Sequence, residues 1–213
     1  MKQEMETYLT SLVTERTALF TEMELYASQH EVPIMDLIGM EALLQLLRLH
    51  KPKKILEVGS AIGYSALRMA DALPETTIVT LERDEERIEK AQQYFKRSKH
   101  GDRIVLLTGD ALELQDRVAE HGQFDAIFID AAKGQYRKFF ELYSPLLSEH
   151  GLIITDNVLY KGLVAMDEKE IDQRRIRSLV RKIRDFNVWL TDHPDYHTTI
   201  LPIGDGVAIS LKK

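Results

Sequence analysis

Short apolar blocks alternate with amphipathic stretches through the middle of the chain. Five blocks have the composition of buried strands, namely KKILEVG, TTIVTLE, RIVLLTG, FDAIFID and GLIITDN. Apolar positions at helical spacing predict helices between them, at 64–72, 84–98, 111–120 and 136–147. This alternation predicts a parallel sheet covered by helices on both faces, with strand order 3-2-1-4-5.

Both ends of the chain add to this pattern. Residues 2–29 have apolar positions at helical spacing and predict a helix, and MEALLQLLRLH predicts another after Pro33 and Gly39. A long helix is predicted at about 168–190, followed by a hairpin around GDG. The fold class predicted is therefore α/β, a Rossmann-like doubly wound, mostly parallel sheet of seven strands with a terminal antiparallel hairpin. We expect one domain over 1–213, with a helical layer at 1–50 and the core at 51–213.

Composition narrows the possible functions. The 213 residues include no cysteine, which excludes disulfides, thiolate metal sites and cysteine nucleophiles. The N-terminus does not resemble a signal peptide, and no apolar run reaches the roughly 18 residues of a membrane helix, so we expect a cytoplasmic protein without membrane contact. The net charge is -6, yet residues 171–186 hold six Lys or Arg against two Asp, so one segment is locally basic.

The first predicted strand runs into a glycine turn, LEVGSAIGYS. Gly59 and Gly63 lie where a backbone bends sharply towards a ligand, but the middle glycine that admits a pyrophosphate is missing. Glu82 ends the second strand, where a carboxylate can accept hydrogen bonds from both ribose hydroxyls. Together they suggest an adenosine ligand without a pyrophosphate, such as S-adenosylmethionine. The alternative is that the glycines only turn the chain and Glu82 caps the next helix; Asp110 is equally compatible with an adenine contact and with an N-cap.

Strands four and five each end on a carboxylate. Asp130 and the pair Asp156–Asn157 should face the same small volume, because adjacent parallel strands lie about 4.8 Å apart. Two carboxylates and an amide are hard oxygen ligands that suit Mg²⁺. Lys133 would project beside them, and when partly neutral it could take a hydroxyl proton. The alternatives are a helix cap at Asp130, an Asx turn at Asp156 and a solvated surface lysine.

Several motifs together resemble the cation-dependent O-methyltransferases of the catechol and caffeoyl-CoA type. They are GM at 39–40, LEVGSAIGYSALRMA, LERD, GDAL, FIDAAKGQY, DNVLYKG and LPIGDGVAIS. The resemblance implies S-adenosylmethionine as cofactor, Lys133 as base, and Mg²⁺ or another hard cation such as Mn²⁺ on Asp130, Asp156 and Asn157. It also implies cofactor contacts by the Met40 backbone, Gly59, Ser65, Glu82, Asp110, Ala111 and Asp130. Ser65 would reach the methionine carboxylate.

Ala132 distinguishes the chain from plant-type relatives, which commonly have a second aspartate there. DAAKGQY with DNVLYKG is instead similar to bacterial tRNA 5-hydroxyuridine methyltransferases, which make 5-methoxyuridine at the anticodon wobble position. This implies tRNA as a partner, a homodimer through the N-terminal helices, and contacts to the anticodon loop. The candidate contacts are Tyr160, Lys161, Arg174, Arg175 and Arg177, with Arg181, Lys182 and Arg184. An ordinary loop and a solvated helix face are equally compatible with these residues.

Three other functions stay open on the sequence alone. The same chemistry could serve a small catechol or hydroxycinnamoyl compound, which the overall acidity favours. A nicotinamide-dependent oxidoreductase is disfavoured by the missing glycine. A non-catalytic RNA-binding protein that keeps only the fold is the third.

Overall fold

The computed structural model describes residues 2–213, with side chains from Glu4 onward. Its helices are α1 Lys2–Leu12, α2 Ala18–Gln29, α3 Leu37–His50, α4 Tyr64–Ala72, α5 Glu85–Arg97, α6 Gln115–Ala119, α7 Tyr136–Tyr143 and α8 Arg174–Thr191. Its strands are β1 Lys54–Val58, β2 Thr77–Glu82, β3 Ile104–Thr108, β4 Phe124–Ile129, β5 Leu147–Thr155, β6 Tyr196–Leu201 and β7 Val207–Lys212. None of the helices in this part of the chain has both the length and the apolar character to cross a membrane.

All seven strands form one sheet in the order β3-β2-β1-β4-β5-β7-β6. The first five strands are parallel, whereas β7 is antiparallel to β5 and β6. The predicted Rossmann-like fold class and the order of the first five strands are confirmed. Because the order reverses between β1 and β4, a crevice opens beyond the carboxyl ends of those strands.

Alternating side chains of each strand enter two separate hydrophobic cores. On one face, Ile55 and Phe128 pack with α2, α3, α4 and α5. On the other face, Leu56 and Ile127 pack with α7 and α8. The sheet is therefore covered on both sides, which explains why its central strands are almost continuously apolar.

A polar network joins the N-terminal helices to α4. The buried guanidinium of Arg68 donates to Glu41 on α3 and to the hydroxyl of Tyr64. Tyr64 in turn donates to Glu24 on α2, at 2.6 Å. Since each of these groups has a partner on another helix, the network fixes the helical layer against the core.

Two of the predicted helices differ in extent. The single helix expected at 2–29 is two helices, because the Thr17 side chain accepts a hydrogen bond from the backbone of Phe20 and starts α2 there. The helix expected at 111–120 shortens to α6, because Asp110 accepts hydrogen bonds from the backbone of Leu112 and Glu113 and holds a turn.

Two boundaries near the C-terminal half also differ. The helix expected from 168 begins at Arg174, because Asp167 caps a separate short turn, Glu168–Glu170. The fifth strand begins at Leu147, four residues before the glycine at which it was expected. The predicted element types are right in both places, and only their ends move.

Candidate active site

The carboxyl ends of β1 and β4 approach each other closely at Gly59. Gly59 has φ +103°, and a Cβ there would overlap the backbone carbonyl of Asp130. A residue with a side chain would therefore separate the two strand ends. Packing against β4 alone explains this glycine, and its predicted contact with a cofactor stays a prediction.

Asp130, Asp156 and Asn157 converge beyond β4 and β5. Ile129 pairs with Thr155 in the sheet, so the residues that follow start level with each other. The amide nitrogen of Asn157 lies 2.5 Å from Oδ2 of Asp156 and 3.4 Å from Oδ1 of Asp130. Asp130 caps no helix, because the turn Lys133–Gln135 and then α7 begin after it.

Burial makes this cluster electrostatically unfavourable without a cation. Burial, together with a smaller contribution from the neighbouring Asp130, raises the pKa of Asp156 to about 8, and burial raises the pKa of Asp130 to about 6. Oδ1 of Asp156 is buried and has no hydrogen-bond partner among the described residues. An ion bound there would satisfy this oxygen and keep both carboxylates charged.

The donor set fits a hard divalent cation. Among the residues described, no three histidine, cysteine or acidic side chains form a metal-binding cluster, so the third donor here is an amide. Rotating the Asn157 amide by about 180° exchanges its nitrogen and oxygen, which turns Oδ1 towards the two carboxylates. Three oxygens then face one point, as Mg²⁺ or Mn²⁺ prefers.

A cleft of about 340 Å³ lies on the β1–β2 side of this cluster. Its lining includes Gly59, Glu82, Asp110, Ala111, Asp130 and Lys133. Five of the seven predicted cofactor residues therefore share one cleft with the predicted base. Lys133 is half-buried in the turn after β4, and its charge opposes the rise in the pKa of Asp130.

Glu82 organises the glycine turn across the cleft. One carboxylate oxygen accepts from the backbone of Ala61, at 2.8 Å, and the other from Arg83 and Asp84. Asp84, and not Glu82, caps α5. The lone pairs that remain on the carboxylate are available to a ligand in the cleft.

Asp110 holds a short turn on the same side. Its carboxylate accepts from the Leu112 backbone and pairs with Arg83 at 2.9 Å. The Leu112 amide contributes most to lowering its pKa. Because α6 starts only at Gln115, Asp110 is not the helix N-cap that the sequence also allowed.

Two predicted cofactor residues lie outside the lining of this cleft. Met40 is fully buried in α3, and its backbone N–H donates to Asp36. Ser65 is buried at the start of α4 and donates to Glu57. Their proposed contacts stay predictions.

Glu57 is a buried acidic residue that the sequence reasoning missed. It lies in β1, fully buried, and accepts hydrogen bonds from Ser65 and Thr80. Burial raises its pKa to about 7. A glutamate at an interior position of an apolar strand was the available signal.

A second cavity, of about 820 Å³, lies on the other side of the Asp156–Asn157 pair. Its walls are α1, the segment 34–38 and the turn between β6 and β7. The lining includes Met5, Leu9, Ile34, Met35, Asp156, Asn157, Lys161 and Ile203. Asp130, Asp156 and Asn157 thus lie between two cavities that approach them from different directions.

The predicted substrate residues divide into two groups. Lys161 lines the second cavity, whereas Tyr160 lines neither of the two. Arg174 and Arg175 are exposed at the start of α8. Arg177 instead donates to the Ile171 carbonyl at 2.9 Å.

The other basic residues of α8 are partly engaged in the fold. Arg181 pairs with Glu168 at 2.7 Å, and Arg184 binds the backbone carbonyls of Val164 and Met166. Lys182 borders a groove of about 450 Å³ that it shares with Lys133. Arg181 and Arg184 of the basic segment therefore hold the preceding loop against α8.

Comparison with known proteins identifies the family. Residues 10–213 match the model of a family described as O-methyltransferase. The chain belongs to this family. Its members with solved structures share the fold: one from Bacillus cereus, an O-methyltransferase in complex with SAH, has a TM-score of 0.83 at 26% identity and covers 99% of this chain and 97% of its own.

Relatives of this O-methyltransferase include proteins named for catechol and for caffeoyl-CoA. A catechol O-methyltransferase of Niastella koreensis is 35% identical over 80% of this chain and 78% of its own length. A caffeoyl-CoA O-methyltransferase of Petroselinum crispum is 31% identical over 94% and 86%. A Staphylococcus aureus structure, provisionally described as a caffeoyl-CoA O-methyltransferase, has a TM-score of 0.91 at 40% identity over 97% and 98%. The chain is thus an enzyme of the S-adenosylmethionine-dependent O-methyltransferase class.

Proposed function

We propose that this O-methyltransferase methylates a hydroxyl group chelated by a divalent cation, preferably Mg²⁺. The position of Asp130, Asp156 and Asn157 between the two cavities carries the proposal. When bound, S-adenosylmethionine supplies an electrophilic methyl group in the smaller cleft, and the cation polarises the hydroxyl of the acceptor. The larger cavity then receives the acceptor, since its volume lies in the range of small-molecule sites.

The chain's own residues bind, orient and deprotonate. Asp130, Asp156 and Asn157 hold the cation through their oxygens. In its neutral amine form, Lys133 takes the acceptor's hydroxyl proton on Nζ and becomes an ammonium. General-base catalysis requires that Nζ lie within hydrogen-bond reach of this hydroxyl. Glu82 and Asp110 orient the adenosine part of the cofactor, and the buried walls exclude water from the reacting groups.

We propose 5-hydroxyuridine at the tRNA wobble position as the acceptor. Its 5-hydroxyl and 4-carbonyl are vicinal oxygens that can chelate a cation as a catechol does. Support comes from the DAAKGQY and DNVLYKG motifs and from the exposed Arg174 and Arg175. The groove beside Lys133 also carries Lys138 and Lys182, which suit a phosphate backbone, whereas its Arg137 pairs with Glu141 at 2.8 Å. A tRNA substrate would put the enzyme in the cytoplasm.

A small catechol or hydroxycinnamoyl compound is the second candidate. The relatives named for catechol and caffeoyl-CoA favour it. The larger cavity favours it too, because its lining is partly apolar and carries acidic side chains such as Glu6, Asp36 and Asp205. A flat aromatic ring with two adjacent oxygens fits that combination of walls and cation.

Nucleoside mass spectrometry separates the two acceptors. We expect tRNA from cells without this protein to lose 5-methoxyuridine and to accumulate 5-hydroxyuridine. Purified enzyme with EDTA should stop methylating that tRNA, and added Mg²⁺ should restore the reaction. Unchanged 5-methoxyuridine in the cells, with robust methylation of caffeoyl-CoA by the pure protein, would select the second candidate.

We also propose that the enzyme is a homodimer through its N-terminal helices. Met5, Tyr8 and Leu12 of α1 are large apolar side chains that are more than half exposed, at 58%, 63% and 62%. A second copy would remove this surface from water. Sedimentation velocity should give about twice the monomer mass of 24.5 kDa, and replacing Tyr8 and Leu12 by Glu should return it to the monomer value.

A further inference from the structure

The loop that carries Asn157 has an unusual backbone. Asn157, Tyr160 and Lys161 have φ values of +62°, +45° and +56°, and none of them is glycine. A left-handed conformation costs Tyr160 and Lys161 roughly 1–2 kcal/mol each, and it costs Asn157 less, because asparagine tolerates this region better. Such conformations persist only when surrounding contacts determine them.

Hydrogen bonds fix the backbone on both sides of Asn157. Before it, the hydroxyl of Tyr136 donates to the Asp156 carbonyl at 2.8 Å. After it, the side-chain amide of Asn187 donates to the Val158 carbonyl at 2.8 Å, and the Val158 N–H donates to Gly206. Asp156, Val158 and Tyr136 are all at most 2% exposed, so water does not compete for these bonds.

The two side-chain donors also connect the loop to the catalytic turn. Tyr136 directly follows the turn Lys133–Gln135 and begins α7. Its ring packs against Phe186 of α8, with ring centroids 5.4 Å apart, and Phe186 precedes Asn187. One packed unit therefore holds both the proposed base and the proposed ligand loop.

We infer that Tyr136 and Asn187 are positioning residues that hold Asp156 and Asn157 in the conformation that binds the cation. The inference rests on the proposed cation-dependent function. Neither side chain is offered as a ligand. Tyr136 acts on the peptide group between Asp156 and Asn157, and Asn187 acts on the carbonyl of the next residue, Val158. Losing either bond lets the Asn157 amide turn away from the two carboxylates.

The test is a direct measurement of Mn²⁺ binding to the full-length protein without cofactor. The dissociation constant is obtained from the electron paramagnetic resonance signal of free Mn²⁺. Tyr136→Phe removes one oxygen and keeps the ring, and Asn187→Leu replaces the amide by an apolar group of similar volume. We expect each to weaken Mn²⁺ binding about 10- to 100-fold, the range found for residues that orient metal ligands.

Tyr143→Phe is the matched control. Tyr143 is a second buried tyrosine of α7, and its hydroxyl donates to the Ala111 carbonyl at 2.5 Å, away from the loop. Tyr143→Phe should bind Mn²⁺ with the wild-type affinity. Its loss of thermal stability should be comparable to that of Tyr136→Phe. Asn187→Leu provides the answer if Tyr136→Phe does not fold.

The outcomes separate the inference from the function on which it rests. If the wild type binds Mn²⁺ and Asp156→Ala does not, the proposed cation site is supported. If Tyr136→Phe and Asn187→Leu then bind Mn²⁺ with the wild-type affinity, the inference about these two residues is overturned and the proposed function is not. Equal weakening in Tyr136→Phe and Tyr143→Phe would also overturn it, because the effect would be a general loss of packing. Failure of the wild type itself to bind Mn²⁺ would overturn the proposed cation dependence and the inference with it.

Discussion

Lys133 lies at the centre of the proposed proton transfer. It lines the smaller cleft together with Asp130, and residues of α7 and α8 lie on the other side of the turn that carries it. We predict that Lys133→Met lowers kcat by about 10²- to 10⁴-fold, the usual contribution of a general base. The KM for S-adenosylmethionine should stay near that of the wild type, because the removed group acts on the acceptor.

Steady-state rates with a saturating acceptor check this prediction. Lys96→Met, an exposed lysine in the last turn of α5, is the control for loss of one positive charge. If Lys133→Met retained the wild-type kcat, the base would have to be another group.

Glu57 should give the protein a characteristic pH dependence of stability. Burial raises its pKa in the folded state to about 7, above the ordinary value of 4.5. Between these two values the folded chain holds a proton that the unfolded chain has lost. The contribution of Glu57 is therefore fully present below pH 4.5 and is lost as the pH rises through 7.

Urea denaturation of the wild type and of Glu57→Gln at pH 5, 6.5 and 8 isolates this group. The glutamine is always neutral, so the pH dependence of the groups that do not interact with Glu57 cancels in the difference. We predict that the wild type loses roughly 2–3 kcal/mol of unfolding free energy relative to the variant between pH 5 and 8. A constant difference over this range would mean that Glu57 keeps one protonation state.

At the scale of elements, the strands were more predictable than the helices. Five apolar blocks predicted the order of the first five strands, and that order predicted that Asp130 and Asp156 lie close together. The place of the hairpin strands beside β5 came only from the structure. The helix ends depended on single capping contacts, such as Thr17 and Asp167, which periodicity does not reveal. The partners of Glu57 were also unpredictable from periodicity, because the groups that donate hydrogen bonds to it lie on other elements, β2 and α4.

The fate of the basic segment illustrates the same limit. Its sequence showed six cations at one end of a helix, but not which of them pack against neighbouring loops. Arg184 donates hydrogen bonds to backbone carbonyls within residues 163–166, whereas Arg174 and Arg175 are exposed. Only the three-dimensional contacts distinguish the basic residues that bind within the fold from those that are exposed to a partner.

Helix α1 forms one wall of the larger cavity, and changing that wall should change acceptor binding. Leu9 lines the cavity, whereas Leu12, one turn further along α1, does not. We predict that Leu9→Trp raises the acceptor KM about tenfold, equivalent to about 1.4 kcal/mol, because the indole occupies acceptor space. The KM for S-adenosylmethionine should not change, since its proposed cleft lies on the other side of Asp156.

Ser11→Trp is the control for adding an indole to α1, because Ser11 is exposed, does not line the cavity and is not part of the apolar surface proposed for the dimer. Initial rates at varied acceptor and fixed cofactor give both constants. Equal effects of the two substitutions would show that α1 acts through its general packing and not as a wall of the acceptor cavity.

At the scale of the whole molecule, charge is distributed unevenly along the chain. The chain carries a net charge of -6, yet the exposed start of α8 and the groove beside Lys133 are locally basic. An acidic protein repels a polyanion at long range, so any RNA must approach this face. The proposed tRNA complex therefore predicts a local, salt-dependent interaction and not a general affinity for nucleic acid.

Charge reversal at Arg174 and Arg175 tests that arrangement. Each arginine that contacts a phosphate adds about one to the magnitude of the slope of log affinity against log salt concentration. Changing both arginines to Glu should therefore lower that magnitude by about two. It should weaken tRNA binding most at low salt. The control is Lys96→Glu with Lys99→Glu, two exposed lysines at and just after the end of α5, which changes the net charge equally on the opposite face of the sheet. Filter binding between 50 and 200 mM salt (on the order of the range over which such contacts weaken) measures both slopes. If the two double variants lose affinity equally, only total charge matters; if the α8 variant alone loses it, this end of α8 contacts the phosphates.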